Sequence, residues 1–358
     1  MLKEHRYRLK SIMMLIVTTG CCLLASSCSP DGDGGEETLK SISFGSSMQP
    51  VTAIQKSAGL ESYATNFKVW SYKNLSETAG SYGDLMTVIE GYQVSYSAAS
   101  AGSTTTNVAD WEYVGGGQTI KYWDYTAKAY RFAGIAPANA AVTVTSTASA
   151  LNISMAADAT TAEKIAAVPY YSALWFASDK ARYGGLVQMQ FKKPFSRVRF
   201  IFTYADDVNP AQAVLSDISL APADASKIGI KGNVTVNYPL TGTATAETMT
   251  INSVDASSAL TAFTEPYEVS TLTYATELEK WYTVLPKATQ SAYIMTLNLN
   301  GIEKTATVPA QYMTWLPNYE YTYIFKITDL GLQFIDLVGV GITNWISGDP
   351  IEHPVYNW

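Results

Sequence analysis

The chain has 358 residues, 15% charged and 12% aromatic, with a formal net charge of −7. An acidic balance without any Lys/Arg cluster argues against a nucleic-acid partner. All three cysteines lie at positions 21, 22 and 28, and the two histidines are His5 and His353. A Ser-His-Asp or Cys-His apparatus, or a zinc site of His and Cys, therefore has no core residues to build on. Twenty-four tyrosines, with abundant Thr, Ser, Val and Ala, match half-buried sheet surfaces and not a helical enzyme.

In chain order, Lys3, Arg6, Arg8 and Lys10 precede an apolar run that begins at Ile12. Ala25, Ser26 and Ser27 then stand directly ahead of Cys28. That order defines a secretory signal, too short and wrongly flanked for a spanning helix. A cysteine behind small residues resembles the bacterial lipobox, with cleavage between Ser27 and Cys28 and acylation (palmitate included) of Cys28. Ala25 occupies the place where Leu is commonest, and an ordinary signal cut near Ser27 is the alternative. The acidic run Ser29 to Glu37 is a solvated tether and resembles the surface-export signal of Bacteroidetes lipoproteins. The expected division is residues 1–27 as signal peptide, 28–37 as tether, and a lipid-anchored body of about 330 residues, enough for two cores.

The body reads as strands. Leu39–Gly45 alternates, and Ser46 to Thr65, with Pro50 and Gly59, is loop-like. Asn66–Tyr72 and Met86–Tyr96 show period-two patterning. Gly102–Asn107 and Gly115–Gly117 read as loops, and Ile120 to Pro137 as two short strands around a turn. Val142–Thr145 and Leu151–Met155 follow, then one helical turn at Ala162–Ala167, capped by Thr160 or Thr161 ahead of Glu163. Leu186–Tyr204 alternates most clearly, with Val198, Phe200 and Phe202 assigned to the core and Arg197 and Arg199 to solvent. After a turn from Asp206 to Pro210, strands are expected at Val214–Leu220, Ile228–Tyr238, Thr248–Ile251, Trp281–Leu285, Ala292–Asn298 and Thr305–Val308. Tyr319 to Ile327 and Gln333–Ile342 close the series. Strands about ten residues apart, with turn signals between, indicate an all-β chain of β-sandwiches. Length and the long stretch near residue 192 divide it into an N-terminal domain, 38–192, and a C-terminal domain, 193–358, with a C-terminal extension.

Four local patterns carry a resemblance. They are Tyr122-Trp123-Asp124 with Tyr130-Arg131-Phe132-Ala133 and Pro137; Phe191 with Phe195-Ser196-Arg197-Val198; Tyr282-Thr283-Val284-Leu285-Pro286; and Trp315-Leu316-Pro317-Asn318-Tyr319-Glu320-Tyr321-Thr322-Tyr323 with Ile342 to Trp345 and Gly348. In this order, behind a lipoprotein head, they resemble the fimbrillin family, the FimA-like subunits of type V pili of Bacteroidales. The resemblance implies two tandem transthyretin-like β-sandwich domains, no enzymatic activity and no cofactor. It implies a stalk, tip or anchor subunit of an outer-membrane fimbria supporting adhesion. Its partners would be other subunits, the outer membrane through lipid, and host or bacterial surface ligands.

It further implies assembly by strand exchange, in which a protease removes the first strand and a neighbour's strand fills the groove. Burying four or five apolar side chains that way contributes on the order of 8–12 kcal/mol before ordering costs. Family pilins are cut after an arginine in the loop behind the first strand, but no arginine lies between Cys28 and Arg131 here, and Lys56 is the basic substitute. Left uncut, the chain resembles the family's anchor or accessory subunits. Gln333, Phe334, Ile335, Leu337, Val338, Val340 and Ile342 form either the donor strand or the last strand of their own domain. Pro350 and Pro354 would interrupt a ladder, which leaves the tail as a surface extension.

Other chemistry is weaker. Asp31, Asp33 and Gly35 misplace the glycine of a calcium loop. Gly115-Gly116-Gly117-Gln118 lacks the Lys and Ser/Thr of a phosphate loop. The carboxylate pairs Asp206-Asp207 and Glu277/Glu279 fall in turns or exposed segments. The alternative function is a surface glycan-binding lipoprotein with Trp111, Trp123, Trp175 or Trp281 on an exposed aromatic platform.

Overall fold

A computed structural model describes residues 39–48, 60, 64–96, 111–113, 116–157, 170–172, 174–205, 214–224, 232–253, 260–263, 267–268, 282–286, 291–328, 332–334 and 340–344. The first strands are β1 (Ser43–Met48), β2 (Asn66–Thr78), β3 (Ser81–Tyr96), β4 (Trp111–Glu112) and β5 (Ala129–Ala136). Next come β6 (Val142–Ser146), β7 (Ala150–Ala157), β8 (Tyr170–Ser172), β9 (Trp175–Ala177) and β10 (Leu186–Lys192). They are followed by β11 (Ser196–Tyr204), β12 (Val214–Pro222), β13 (Gly232–Pro239), β14 (Thr248–Ser253), β15 (Leu260–Phe263) and β16 (Tyr267–Glu268). The last are β17 (Tyr282–Val284), β18 (Tyr293–Leu299), β19 (Ile302–Val308), β20 (Tyr319–Ile327), β21 (Leu332–Phe334) and β22 (Val340–Asn344). No α-helix occurs among the described residues.

Four sheets result. In sheet I the pairing runs β2-β3-β4-β1-β10-β8-β5 and returns from β5 to β2, a closed circuit with β9 attached to β5. Sheet II is β14-β13-β7-β6, sheet III is β17-β11-β20 with β21 and β22 on β20, and sheet IV is β15-β12-β18-β19 with β16 on β12. Two tight hairpins fix register through left-handed residues: Ala79 and Gly80 between β2 and β3, and Asn300 and Gly301 between β18 and β19. Their φ values of 49°, 78°, 50° and 79° are those of type I′ turns, whose twist matches the strands.

Three cores follow from the alternation. Sheet I encloses Phe44, Phe67, Val69, Trp111, Trp123, Phe132 and their neighbours. The opposite faces of β2 and β5, with Trp70, Tyr72, Ala133 and Ile135, pack on Leu151, Ile153, Val234 and Val236 of sheet II. Sheets III and IV form a sandwich over Val198, Phe200, Leu220, Met295, Tyr323 and Phe325. Sheet II joins β6 and β7, which precede residue 192, to β13 and β14, which follow it.

The stretch Ile120–Pro137 departs from the expected two strands. It holds one isolated bridge at Tyr122 and the single strand β5, buried along its whole length. β5 is apolar on both sides because it lies between two cores, so period-two patterning is lost there. The arginines of β11 are not simply solvated. Arg197 pairs with Glu320, its register partner on parallel β20, and Arg199 Nε donates to Thr322 Oγ1 at 2.9 Å. The expected helical turn at Ala162–Ala167 and the turn from Asp206 to Pro210 lie outside the described residues.

Candidate functional site

β1 is the element with a direct bearing on function, and its neighbours explain why. It runs parallel to β10 over six positions, from Ser43 opposite Leu186 to Met48 opposite Phe191. On the other side it meets an irregular wall: Phe44 opposite Trp111, Ser41 bridged to Tyr122, Ile42 N donating to Lys121 O at 2.7 Å, and Trp123 N donating to Lys40 O at 3.0 Å. Ile42 and Phe44 are fully buried. The Phe44 ring sits edge-on to Phe67, Tyr113 and Phe132 at centroid distances of 6.0, 5.6 and 5.9 Å. β1 is thus a plug in an aromatic pocket, and the strand with which it makes its longest pairing, β10, is more than a hundred residues away in sequence.

The wall opposite β10 is pinned by side chains instead of a ladder. Tyr113 Oη accepts from Lys121 N at 2.8 Å, and burial pushes its phenol up to about 12. Gln118 accepts from Gln93 N at 2.9 Å and donates to Gln93 O at 3.0 Å and to Tyr113 O, so a carboxamide imitates a strand partner at the edge of β3. Trp123 stacks on Tyr183 at 5.3 Å. Asp124 N donates to Tyr130 Oη at 2.7 Å, while the Asp124 carboxylate pairs with Lys73 at 2.7 Å and accepts from Thr126 N and Oγ1 at 2.9 and 2.6 Å. Lys73, and then Thr126, hold that carboxyl down at about 2. The motif Tyr122-Trp123-Asp124 with Tyr130 is therefore the frame beside the first strand.

Arg131, next in that motif, is fully buried. It donates to the carbonyls of Pro239, Ala244 and Gly242 at 2.9, 2.6 and 3.4 Å and to Asn74 Oδ1 at 3.4 Å, with its guanidinium 4.8 Å from the Phe176 ring centroid. Asn74 Nδ2 in turn donates to Leu240 O at 2.9 Å. Together they clamp the β13–β14 connection onto sheet I. The fork geometry of guanidinium suits several carbonyls at once, which a lysine does not match.

The motif from Trp315 to Tyr323 closes on itself. Trp315 Nε1 donates to Tyr323 Oη, which donates to Tyr312 O, both at 2.7 Å, and Ser196 Oγ donates to Leu316 O at 2.7 Å. Asn318, at φ 73°, accepts from Lys193 N at 3.1 Å and donates its own N–H to Phe195 O at 2.9 Å, which fixes the β10–β11 link to the start of β20.

Of the residues read from sequence as exchange elements, Gln333 and Phe334 lie in β21 and Val340 and Ile342 in β22, both antiparallel to β20 of the same chain. The register shifts by four residues between the two runs. Ile335, Leu337 and Val338, together with Ser27, Cys28 and Lys56, lie outside the described residues. The aromatic platform is corrected for two of its members: Trp111 and Trp123 are 2% and 1% exposed, in the core of sheet I. Trp175 is half-buried with Arg182 stacked 4.5 Å from its ring centroid, and Trp281 lies outside the described residues. Aromatics at strand spacing face inward here because the closed circuit of sheet I has an interior to fill. Sequence reasoning missed Gln118 and the clamp of Arg131. Nothing local marks the former, whereas an arginine between Tyr130 and Phe132 in an apolar run was a legible signal.

Among the described residues, no group of His, Cys, Asp and Glu is placed to hold a metal ion, and no helix is long and apolar enough to cross a membrane. The chain is an all-β structural protein of packed sheets, whose site consists of main-chain pairing and aromatic pockets. The family model described as fimbrillin-like matches residues 60–345, and the chain belongs to that family, as a structural protein of the cell-surface fimbrial class and not an enzyme. No curated protein matches it. Similar solved structures include a protein designated for cell adhesion from Bacteroides ovatus, at 12% identity over 87% of this chain and 99% of that one, with a TM-score of 0.49. A fimbrial protein from Bacteroides vulgatus has 10% identity, coverage of 85% and 99%, and a TM-score of 0.46. A fimbrial anchor protein from Porphyromonas gingivalis has 11% identity, coverage of 86% and 98%, and a TM-score of 0.35.

Proposed function

We propose that this chain is a fimbrial subunit made as a lipoprotein acylated at Cys28, and that the first strand is the piece given up when it polymerises and kept, with the lipid, when it serves as an anchor. The observation that carries the reading is the setting of β1. It precedes every other described strand, so a single cut behind it frees it while the rest of the chain stays covalently continuous. The space it fills, between β10 and the Trp111–Trp123 wall, is lined by Phe67, Tyr113 and Phe132, which belong to other elements. Removing β1 exposes the unpaired edge of β10 beside an aromatic groove, a site for strand addition.

Among the described side chains, Ile42 just ahead of β1 and Phe44 within it are large, apolar and fully buried. Their burial contributes about 3–6 kcal/mol. Cleavage after Lys56 makes a polymerising subunit of the stalk or tip; retention of β1 and the lipid makes an anchor. The segment from Gln333 to Ile342 serves as donor in the first case and as the last strand of its own domain in the second.

N-terminal sequencing of surface-sheared material tests this. A start near Ser57 together with SDS-resistant ladders on gels identifies a polymerising subunit, and an intact acylated Cys28 identifies an anchor. Equal palmitate labelling of the wild type and Cys28→Ala would sink the lipid anchor, and monomers with neither ladder nor fimbrial partner would sink the subunit reading.

A further inference from the structure

Sheet II turns one face to the core it shares with sheet I and the other to solvent. Its four strands contain no Asp, Glu, Lys, Arg or His. On the outer face Thr143, Ser154, Thr235 and Thr250 stand in one row across the four strands, in direct register, and Asn152 and Asn237 belong to the row beside it. Ser154 and Thr235 share a hydrogen bond of 2.7 Å, and Asn237 Nδ2 donates to Asn152 Oδ1 at 2.6 Å, so the rows are ordered before anything docks.

We propose that this face is a contact surface between two copies of the chain, packed face to face. The argument is electrostatic first. On a chain of net charge −7, a four-stranded face bare of charge is where two copies approach with least repulsion and desolvate no ion. It is also chemical, because hydroxyls and carboxamides both donate and accept, so the same rows complement themselves across a two-fold axis. At about 4.8 Å between strands and 3.4 Å per residue the face offers about 300 Å² per copy. The total of about 600 Å² is below what a stable isolated dimer needs, so the contact is weak between single molecules and gains strength where many copies are arrayed side by side. The inference requires no strand exchange.

Sedimentation of the purified, unassembled chain provides the test. We expect monomers at about 1 μM and a reversible dimer towards about 1 mM. Thr143→Glu with Thr250→Glu, both at exposed ends of one row, should weaken the dimer at least tenfold without lowering the melting temperature, whereas Thr143→Ser with Thr250→Ser should retain it. Should the doubly charged variant fold poorly, the single Thr143→Glu at the sheet edge gives the same reading with a smaller loss. Absence of a dimer at about 1 mM overturns the proposal, and so does a dimer indifferent to the added charges.

Discussion

Replacing Phe44 by alanine empties the pocket that β1 fills. The ring is fully buried and meets Phe67, Tyr113 and Phe132 edge-on. Loss of its transfer energy, its ring contacts and the cavity left behind should cost about 3–5 kcal/mol. For a body of about 330 residues that lowers the melting temperature by about 4–7 °C. Urea denaturation of the uncut chain measures it, with half-buried Ser47→Ala as a control expected within about 0.5 kcal/mol. The same pocket gives a second readout. A chain starting at Ser57 should regain stability when a peptide of residues 39–50 is added, and the peptide carrying Phe44→Ala should bind at least about a hundredfold more weakly. A Phe44→Ala cost below about 1 kcal/mol, or equal rescue by both peptides, would refute the view of β1 as a plug in a preformed groove.

Three further outcomes follow from buried polar groups. Arg131→Met leaves the carbonyls of Pro239, Gly242 and Ala244 without their donor and should cost about 3 kcal/mol in denaturant melts, with Arg131→Lys recovering less than half; full recovery would mean that charge alone suffices. Tyr113, Tyr130 and Tyr321 are pushed up from 10 to about 12 by burial, so their contribution is complete below pH 10 and is lost as pH rises through 12. Absorbance titration of phenolate, with each of the three replaced by Phe in turn, should accordingly show the lost phenolate signal only as pH passes 10 towards 12 and together with unfolding; its loss well before unfolding would count against the burial. Asp124, held at about 2 by Lys73, contributes stability that is complete above its ordinary value of 3.8 and lost as pH falls through about 2. Partial exposure limits it to about 1 kcal/mol, and Asp124→Asn should flatten the acid limb of the melting-temperature profile in that window.

Strand positions were legible wherever one face of a strand meets a core and the other meets water, as along β11, β18 and β20. They blurred at β5, where eight successive residues are buried between two cores and alternation carries no information. The aromatic density and terminal Ala-Pro of Ile120–Pro137 read as two short strands around a turn, whereas the fold makes one strand and an isolated bridge. Arg197 and Arg199 looked solvated because their partners, Glu320 and Thr322, arrive from a strand more than a hundred residues away. Residue type alone does not place the tryptophans: aromatics at strand spacing favour a core, and the closed sheet around Trp111 and Trp123 decides it.

The amino-acid sequence alone determined the strand-rich class, the absence of a histidine or cysteine for catalysis, and the four aromatic motifs, because these depend on composition and on periods of two residues. The tertiary structure decided what the motifs do. Tyr122-Trp123-Asp124 frames the first strand, Arg131 clamps the β13–β14 connection, and Ser43–Met48 finds its longest pairing with Leu186–Lys192. A parallel pair between segments so far apart leaves no local trace. Its register is set by the pocket that Phe67, Tyr113 and Phe132 form around Phe44, three residues that only the fold brings together.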